Sequence, residues 1–274
     1  MPAEKPFSLC VIGNSHVGAI KEAWDERHYD VVPGFTATFF AAPVIMLRGL
    51  RLRGDSLVAR RDELRQRLID TSGRSDRIEI RDYDAFLLVG IEFAIDVMAF
   101  AEEYGVAGHT RWGPVKNLVS DDCYAAYIRG TLASSSAVRI AAELRERTAA
   151  PIILCPSPFR PEKVLDEPEL NDRGVFRDAA LMSSIVSHAK AAGDAIGNRV
   201  GCAILWQDES TVAFPGFTKR EFGKVPTERE IRGGTPDRRH ANAEYGDIVL
   251  KAALARLHEM TGGRVLNAKV RTAA

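Results

Sequence analysis

Short runs of apolar residues alternate along the chain with longer stretches whose apolar residues recur at helical spacing. The runs are flanked by Gly, Pro or Asp and lack strict alternation, which is typical of parallel strands covered on both faces. They predict strands at 7–12, 36–40, 85–89, 151–155 and 200–206. The longer stretches predict helices at 17–27, 57–69, 124–147, 177–196 and 244–259.

Because strands alternate with helices, we predict an α/β fold, a three-layer α/β/α sandwich. Its sheet is expected to be mostly parallel, doubly wound and flavodoxin-like, with about five strands. No repeat or linker divides the chain, so residues 1–274 are expected to form a single domain. Two irregular stretches, 105–122 and 207–236, follow predicted strands and are expected at the carboxyl edge of the sheet, where such folds bind ligands.

Composition and charge narrow the classes of partner. Lys and Arg number 37 and Asp and Glu number 37, giving a formal net charge of zero. This balance supplies no general attraction to nucleic acid or to an anionic membrane, so we expect neither as a partner. The first ten residues do not resemble a secretory signal, and no apolar run reaches the roughly 18 residues of a membrane span. The four scattered cysteines do not indicate a disulfide framework or a zinc site, and we expect a cytoplasmic protein.

The first predicted strand runs into the first predicted helix through Gly13-Asn14-Ser15-His16. A dinucleotide fingerprint would need a glycine where Ser15 stands, and the second strand is not followed by the acidic residue that binds the ribose. A nucleophile elbow needs a different spacing. Ser15 could simply cap the helix. Alternatively it presents its Oγ at the carboxyl edge of the sheet as a nucleophile, with its own N–H donating to an oxyanion.

A second motif, Asp237-Arg238-Arg239-His240, opens the last predicted helix. An Asp and a His three residues apart can face each other across one turn. The carboxylate then accepts the Nδ1 proton of His240 and leaves Nε2 free to take a proton from a serine. The alternative is a surface pair that only caps the helix.

Together the two motifs resemble those of the SGNH (GDSL-type) hydrolase family. Its first block, Gly-Asp-Ser before a helix, is similar to Gly13-Asn14-Ser15, and its last block, Asp-x-x-His, is similar to the segment from Asp237 to His240. The resemblance implies that Ser15 is the nucleophile, His240 the general base and Asp237 the residue that orients it. It also implies hydrolysis of an ester through an acyl-Ser15 intermediate, without a cofactor or metal.

The polar loops favour a small or carbohydrate ester, such as an O-acetylated sugar, over a long-chain lipid. Three alternatives stay open. They are an acyltransferase using the same triad, a non-catalytic binding protein on the same fold, and a nucleotide-dependent enzyme using the turn after the first strand. The oligomeric state is not indicated by the sequence.

The third predicted strand departs from the family pattern. Gly90 corresponds to the glycine of the family's Gly-x-Asn-Asp block, so Glu92 stands where an asparagine donates to the oxyanion. Losing one such donor typically costs about 3 kcal/mol. Glu92 could be protonated, could turn away to bind substrate, or could be replaced as donor by Asn14 or Asn117. The candidates for oxyanion or substrate binding are therefore Gly13, Asn14, His16, Gly90 and Glu92.

A second Gly-Asp-Ser string occurs at Gly54-Asp55-Ser56, inside the Arg-rich stretch 48–61. No apolar strand precedes it, so we expect Ser56 to cap a helix beginning at Leu57, and the stretch to be a solvated helix face. Weaker candidates for a substrate cleft are His109, Arg111, Trp112 and Arg160.

Overall fold

The computed structural model describes residues 6–29, 34–107, 117–166, 174–225 and 240–263. In chain order the strands are β1 (Phe7–Gly13), β2 (Phe35–Ala41), β3 (Leu50–Arg53), β4 (Ser56–Ala59), β5 (Arg77–Glu79), β6 (Ala85–Ala94), β7 (Tyr104–Val106), β8 (Asn117–Val119), β9 (Ile152–Ser157), β10 (Arg160–Pro161), β11 (Ala203–Ile204), β12 (Val212–Phe214) and β13 (Phe217–Thr218). The α-helices are α1 (Val17–Glu26), α2 (Val44–Leu47), α3 (Asp62–Ser72), α4 (Val97–Glu103), α5 (Asp121–Ala133), α6 (Ser136–Arg145), α7 (Ala179–Val200) and α8 (Ala243–Met260).

The central sheet has five strands in the order β11-β9-β6-β1-β2, and every neighbouring pair is parallel. Each of these strands overlaps one of the five predicted apolar runs. The order reverses direction between β1 and β6, as in a doubly wound flavodoxin-like sheet. The predicted α/β fold class and sheet type are confirmed.

Helices cover both faces of this sheet because successive strand residues point to opposite sides. On one face, Leu9, Val11 and Leu87 pack in a core with Trp24 of α1 and Leu250 of α8. On the other face a second core joins the sheet to α3, α5, α6 and α7; it includes Cys10, Ile12, Phe86, Leu88, Leu68, Ile128, Ile140 and Ile185. The arrangement is the predicted three-layer sandwich.

The Arg-rich stretch does not form the predicted helix face. Residues 50–59 form the antiparallel strands β3 and β4, which β5 extends to a three-stranded sheet, and α3 begins only at Asp62. The strands β3 and β4 are joined by a turn that contains Gly54, and the φ of 59° at this position favours glycine. The expectation that Ser56 caps a helix and follows no strand was therefore wrong.

The stretch 124–147, which was predicted to be one helix, contains two helices instead. α5 ends at Ala133, and Ser135 caps the start of α6 by accepting a hydrogen bond from the Val138 N–H at 3.4 Å. The stretches expected to be irregular contain β7, β8, β12 and β13 as well. No helix in the described part of the chain is both long and apolar enough to cross a membrane.

Candidate active site

The turn between β1 and α1 exposes Ser15 at the carboxyl edge of the sheet. Gly13 ends β1 beside Val89 of β6, and a Cβ atom at Gly13 would lie 2.5 Å from the Val89 carbonyl oxygen and 2.5 Å from Val17 Cγ2. Only glycine therefore fits there. The turn is closed by hydrogen bonds from Val17 N–H to the Asn14 carbonyl (3.1 Å) and from Gly18 N–H to the Ser15 carbonyl (3.0 Å).

Ser15 does not cap α1. The capping position is occupied by His16, whose side chain makes no capping hydrogen bond. The exposed Ser15 side chain instead meets the other end of the chain, with its Oγ 2.6 Å from Nε2 of His240. Among the described residues, the backbone N–H of Ser15 has no hydrogen-bond partner.

The backbone around His240 pairs with the backbone of residues 222–224. The Lys224 N–H donates to the His240 carbonyl at 2.9 Å, and the Asn242 N–H donates to the Phe222 carbonyl at 3.0 Å. A β-bridge between Gly223 and Ala241 lies between these two bonds. This pairing fixes the backbone that carries the histidine.

Asn242 adds a second anchor next to the histidine. Its Oδ1 caps α8 by accepting from the Tyr245 N–H at 3.1 Å, and its Nδ2 donates to the Glu221 carbonyl at 2.7 Å. One side chain thus ties the start of α8 to the segment that pairs with His240. Asparagine is among the residues favoured at this helix position.

The two helices that follow Ser15 and His240 pack directly against each other. A Cβ atom at Gly246 of α8 would lie 2.0 Å from the Ala19 carbonyl oxygen of α1, so only a glycine allows this approach. The close packing places the two helix starts, and with them Ser15 and His240, side by side.

The structure brings three other predicted residues next to Ser15. Asn14 Oδ1 accepts a hydrogen bond from the His16 N–H at 3.1 Å. The same amide packs on Gly90, where a Cβ atom would lie 2.7 Å from Asn14 Nδ2. The His16 ring lies 5.5 Å from the His240 ring, centre to centre.

The backbone of β6 is unusual where it passes this turn. Gly90, Ile91 and Glu92 all have positive φ, at 71°, 53° and 69°. For a β-branched residue such as Ile91 this conformation is a marked outlier, which costs on the order of 1–3 kcal/mol. The pairing of β6 with β9 shifts between Val89 and Ala94, so the strained residues form a bulge.

The bulge turns Glu92 toward α6 and the loop after α2. Its Oε2 accepts hydrogen bonds from the Ser136 hydroxyl (2.6 Å) and the Ser136 N–H (3.2 Å), and its Oε1 accepts from Arg48 Nε (2.6 Å) and also contacts Nη2. Partial burial alone would raise the pKa of Glu92, but the bonds from Ser136 and Arg48 outweigh it and lower the pKa below its usual value. Of the alternatives left open for Glu92, this geometry favours a carboxylate turned away from Ser15 over a protonated donor to the oxyanion.

Other candidates are placed differently or lie outside the description. Asp237 and the loop residues His109, Arg111 and Trp112 lie outside the described residues. Arg160 is not available to a ligand's anionic group in this structure, because it pairs with Asp96 at 2.5 Å. Ser56 donates to Glu79 Oε2 at 2.5 Å within the antiparallel sheet, and Asn117 lies exposed in β8. Within the described ranges, no three His, Cys, Asp or Glu side chains cluster as a metal site.

Sequence reasoning did not single out Arg48, Ser136 and Asn242. The run Ser134-Ser135-Ser136 is a helix-start signal that could have divided the predicted long helix and placed Ser136 at its beginning. Nothing in the sequence alone pairs Arg48 with Glu92, because 44 residues separate them.

Comparison with solved structures finds distant similarities, among them the following two. The chain is similar to an extracellular lipase from Streptomyces rimosus, at 12% sequence identity and a TM-score of 0.46, over 90% of this chain and 99% of the lipase. It is also similar to the periplasmic domain of a lipopolysaccharide acetyltransferase from Salmonella ser. Paratyphi A, at 11% identity and a TM-score of 0.39, over 92% of this chain and 84% of that domain. No protein-family model and no curated protein matches the sequence. Because these identities and TM-scores are low, we base the function on the geometry of the site.

Proposed function

We propose that the protein is a serine hydrolase that cleaves a small or carbohydrate ester through an acyl-Ser15 intermediate. The observation that carries the proposal is the 2.6 Å separation of Ser15 Oγ and His240 Nε2, at the exposed start of a helix that follows a buried strand. This is the distance required of a nucleophile and its general base. Ser15 and His240 are 225 residues apart in the chain. The close packing of the helices that follow them, which Gly246 allows, brings the two side chains together.

The reaction follows from the two side chains. Ser15 Oγ attacks the carbonyl carbon of the ester while its proton passes to His240 Nε2. The tetrahedral intermediate then collapses, and His240 returns the proton to the leaving alcohol as the acyl-Ser15 ester remains. In the second half, His240 takes a proton from the water that attacks the acyl group. When the second tetrahedral intermediate collapses, His240 returns this proton to Ser15 Oγ, which releases the acid and restores the free serine.

Asp237 is proposed to accept the Nδ1 proton of His240. A carboxylate in that position fixes the tautomer in which Nε2 is unprotonated and stabilises the imidazolium that forms. The support for this role is the spacing of three residues and the resemblance to the SGNH motif.

The oxyanion donors are proposed to be the Ser15 N–H and the Asn14 side chain. In the described residues, neither the Ser15 N–H nor Asn14 Nδ2 has a hydrogen-bond partner. Asn14 Oδ1 is fixed by the His16 N–H, which sets the orientation of the amide. Glu92 is excluded from this role because its carboxylate faces Arg48 and Ser136.

The test is hydrolysis of p-nitrophenyl acetate by the wild type, Ser15→Ala and the matched control Ser56→Ala. We expect Ser15→Ala to lower kcat by at least about a thousandfold, as for loss of a serine nucleophile. Ser56→Ala should retain activity within about twofold, because Ser56 bonds only Glu79. If the two variants behave in the reverse way, or if Ser15→Ala keeps full activity, the proposal is wrong.

A further inference from the structure

A cavity of about 490 Å³ lies beside Glu92, between the loop after α2, strand β3 and the start of α6. Its volume is in the range of small-molecule sites. Besides Glu92, it is lined by the guanidinium groups of Arg48, Arg51 and Arg139 and by Thr131, Ser134 and Ser136. The lining therefore combines three positively charged side chains with one carboxylate.

The charges of this cavity are not balanced. Arg48 pairs with Glu92, and Arg139 pairs with Glu143 at 2.8 Å. Arg51 is half-buried, yet in the described part of the chain no carboxylate oxygen lies within 4 Å of it; its Nη1 donates to the backbone carbonyls of Leu50 (2.8 Å) and Arg48. Burial and the neighbouring Arg139 lower the pKa of Arg51, and the more distant carboxylate of Glu143 offsets this only in part.

The hydrogen bonds of the Glu92 carboxylate show which groups beside the cavity bind a negative charge. Its carboxylate accepts from the N–H and hydroxyl of Ser136, the first residue of the ten-residue helix α6, and from the Arg48 guanidinium. A helix start attracts negative charge through its free N–H groups and dipole. With Arg48 held in this way, Arg51 is the cation left to bind a ligand.

The cavity lies near Ser15 because of the register of the sheet. Val89 of β6 pairs with Gly13 of β1, and Gly90 packs against Asn14, the residue before Ser15. Glu92 follows Val89 by three residues, which span at most about 11 Å even when fully extended. The Glu92 backbone, at one side of the cavity, therefore lies within about 11 Å of the β6 residue that pairs with Gly13, two residues before Ser15.

We propose that this cavity binds an anionic group, a carboxylate or a phosphate, of the ester substrate, and that Arg51 is its main partner. This inference rests on the proposed function, since it names the class of ester that Ser15 cleaves. The planar guanidinium suits both anions, because it donates two parallel hydrogen bonds.

The kinetic test compares 4-acetoxybenzoate with its methyl ester, which differ in one negative charge, using the wild type, Arg51→Gln and the control Arg53→Gln. Arg53 is exposed in the same strand and does not line the cavity. We expect the wild type to favour the anionic ester. Arg51→Gln should lower the kcat/KM of that ester about ten- to hundredfold, mainly through KM, because the charge-assisted hydrogen bonds to the anion are lost. The methyl ester, and both esters with Arg53→Gln, should change by less than about twofold. Equal effects of Arg51→Gln on the two esters, or none, overturn the proposal.

A binding test separates failure of this inference from failure of the proposed function. Calorimetry measures binding of 4-acetoxybenzoate to Ser15→Ala and to Ser15→Ala/Arg51→Gln, neither of which needs to turn over. Binding that weakens at least tenfold in the double variant supports the anion site. If the wild type nevertheless cleaves neither ester, only the hydrolase proposal is wrong. Equal binding to both variants overturns the anion site itself. Competition by benzoate against phenyl phosphate then distinguishes a carboxylate from a phosphate ligand.

Discussion

The turn that carries Ser15 depends on two residues without side chains, Gly13 and Gly90. At Gly13 a methyl group would collide with the Val89 carbonyl oxygen at 2.5 Å. At Gly90 it would lie 2.7 Å from Asn14 Nδ2, and the φ of 71° is itself unfavourable for other residues. These two glycines let β1 and β6 approach closely, which holds Asn14 and Ser15 in place.

The negative charge of a single residue, Glu92, is expected to contribute to the stability of the folded protein. Glu92→Gln should lower the free energy of unfolding at pH 7 by about 1–2 kcal/mol, because the amide loses charge-assisted bonds to Arg48 and Ser136. The lowered pKa of Glu92 in the folded protein means that this stabilisation is present above its unfolded pKa. The stabilisation is then lost as the pH falls through the folded pKa.

Urea unfolding of the wild type and Glu92→Gln at several pH values between 7 and about 3 measures this difference. We expect the two proteins to converge in acid, while the control Glu26→Gln, an exposed residue at the end of α1, follows the wild type throughout. A difference that grows on acidification would show that the Glu92 carboxyl is protonated in the folded state.

At the scale of elements, the site depends on the contact between α1 and α8. Ser15 lies two residues before the first helix and His240 three residues before the second, so the separation of the helices affects the separation of the two side chains. Gly246 makes the approach possible, because its Cα faces the Ala19 carbonyl directly. A shift of even 1 Å between catalytic groups can cost about a hundredfold in rate.

Gly246→Ala is therefore expected to push α8 away from α1. It should lower the free energy of unfolding by about 1–3 kcal/mol through overpacking and reduce kcat more than KM, by about tenfold or more. The matched control is Gly130→Ala in α5, where a new Cβ meets nothing within 4 Å. That change should raise stability by about 0.5–1 kcal/mol and leave kcat unaltered. Equal behaviour of the two variants in urea unfolding and ester hydrolysis contradicts this account.

The elements also show what the sequence could predict. The five central strands are buried apolar runs, and the turn at Ser15 is a local pattern, so both could be located by inspection. The role of Asp237 in the Asp-x-x-His segment stays a prediction, because that residue lies outside the described ranges. The hairpin of β3 and β4 was mistaken for a helix, although Leu50-Arg51-Leu52-Arg53 alternates before a Gly-Asp turn, a signal typical of a short hairpin. The Glu92–Arg48 pair could not be predicted, because it depends on a strained bulge and on a contact between distant elements.

At the scale of the whole molecule, the zero net charge contrasts with a local excess of positive charge. Lys and Arg balance Asp and Glu over the chain, yet Arg48, Arg51 and Arg139 surround one cavity near the carboxyl edge of the sheet. Recognition of an anionic ester is therefore expected to be local, acting over the few ångströms of the cavity rather than by long-range attraction. Ser15 and His240, the proposed nucleophile and base, lie at the edge of the sheet where doubly wound folds bind ligands.

The central claim is that this chain has one activated serine, and that it is Ser15. The most direct measurement is treatment of the intact protein with a fluorophosphonate, followed by mass spectrometry of its peptides. We predict a single adduct per chain, on Ser15, that disappears in Ser15→Ala, falls sharply in His240→Ala and is unchanged in Ser56→Ala. An adduct on another serine, or an unlabelled Ser15 in the folded wild type, would contradict the account.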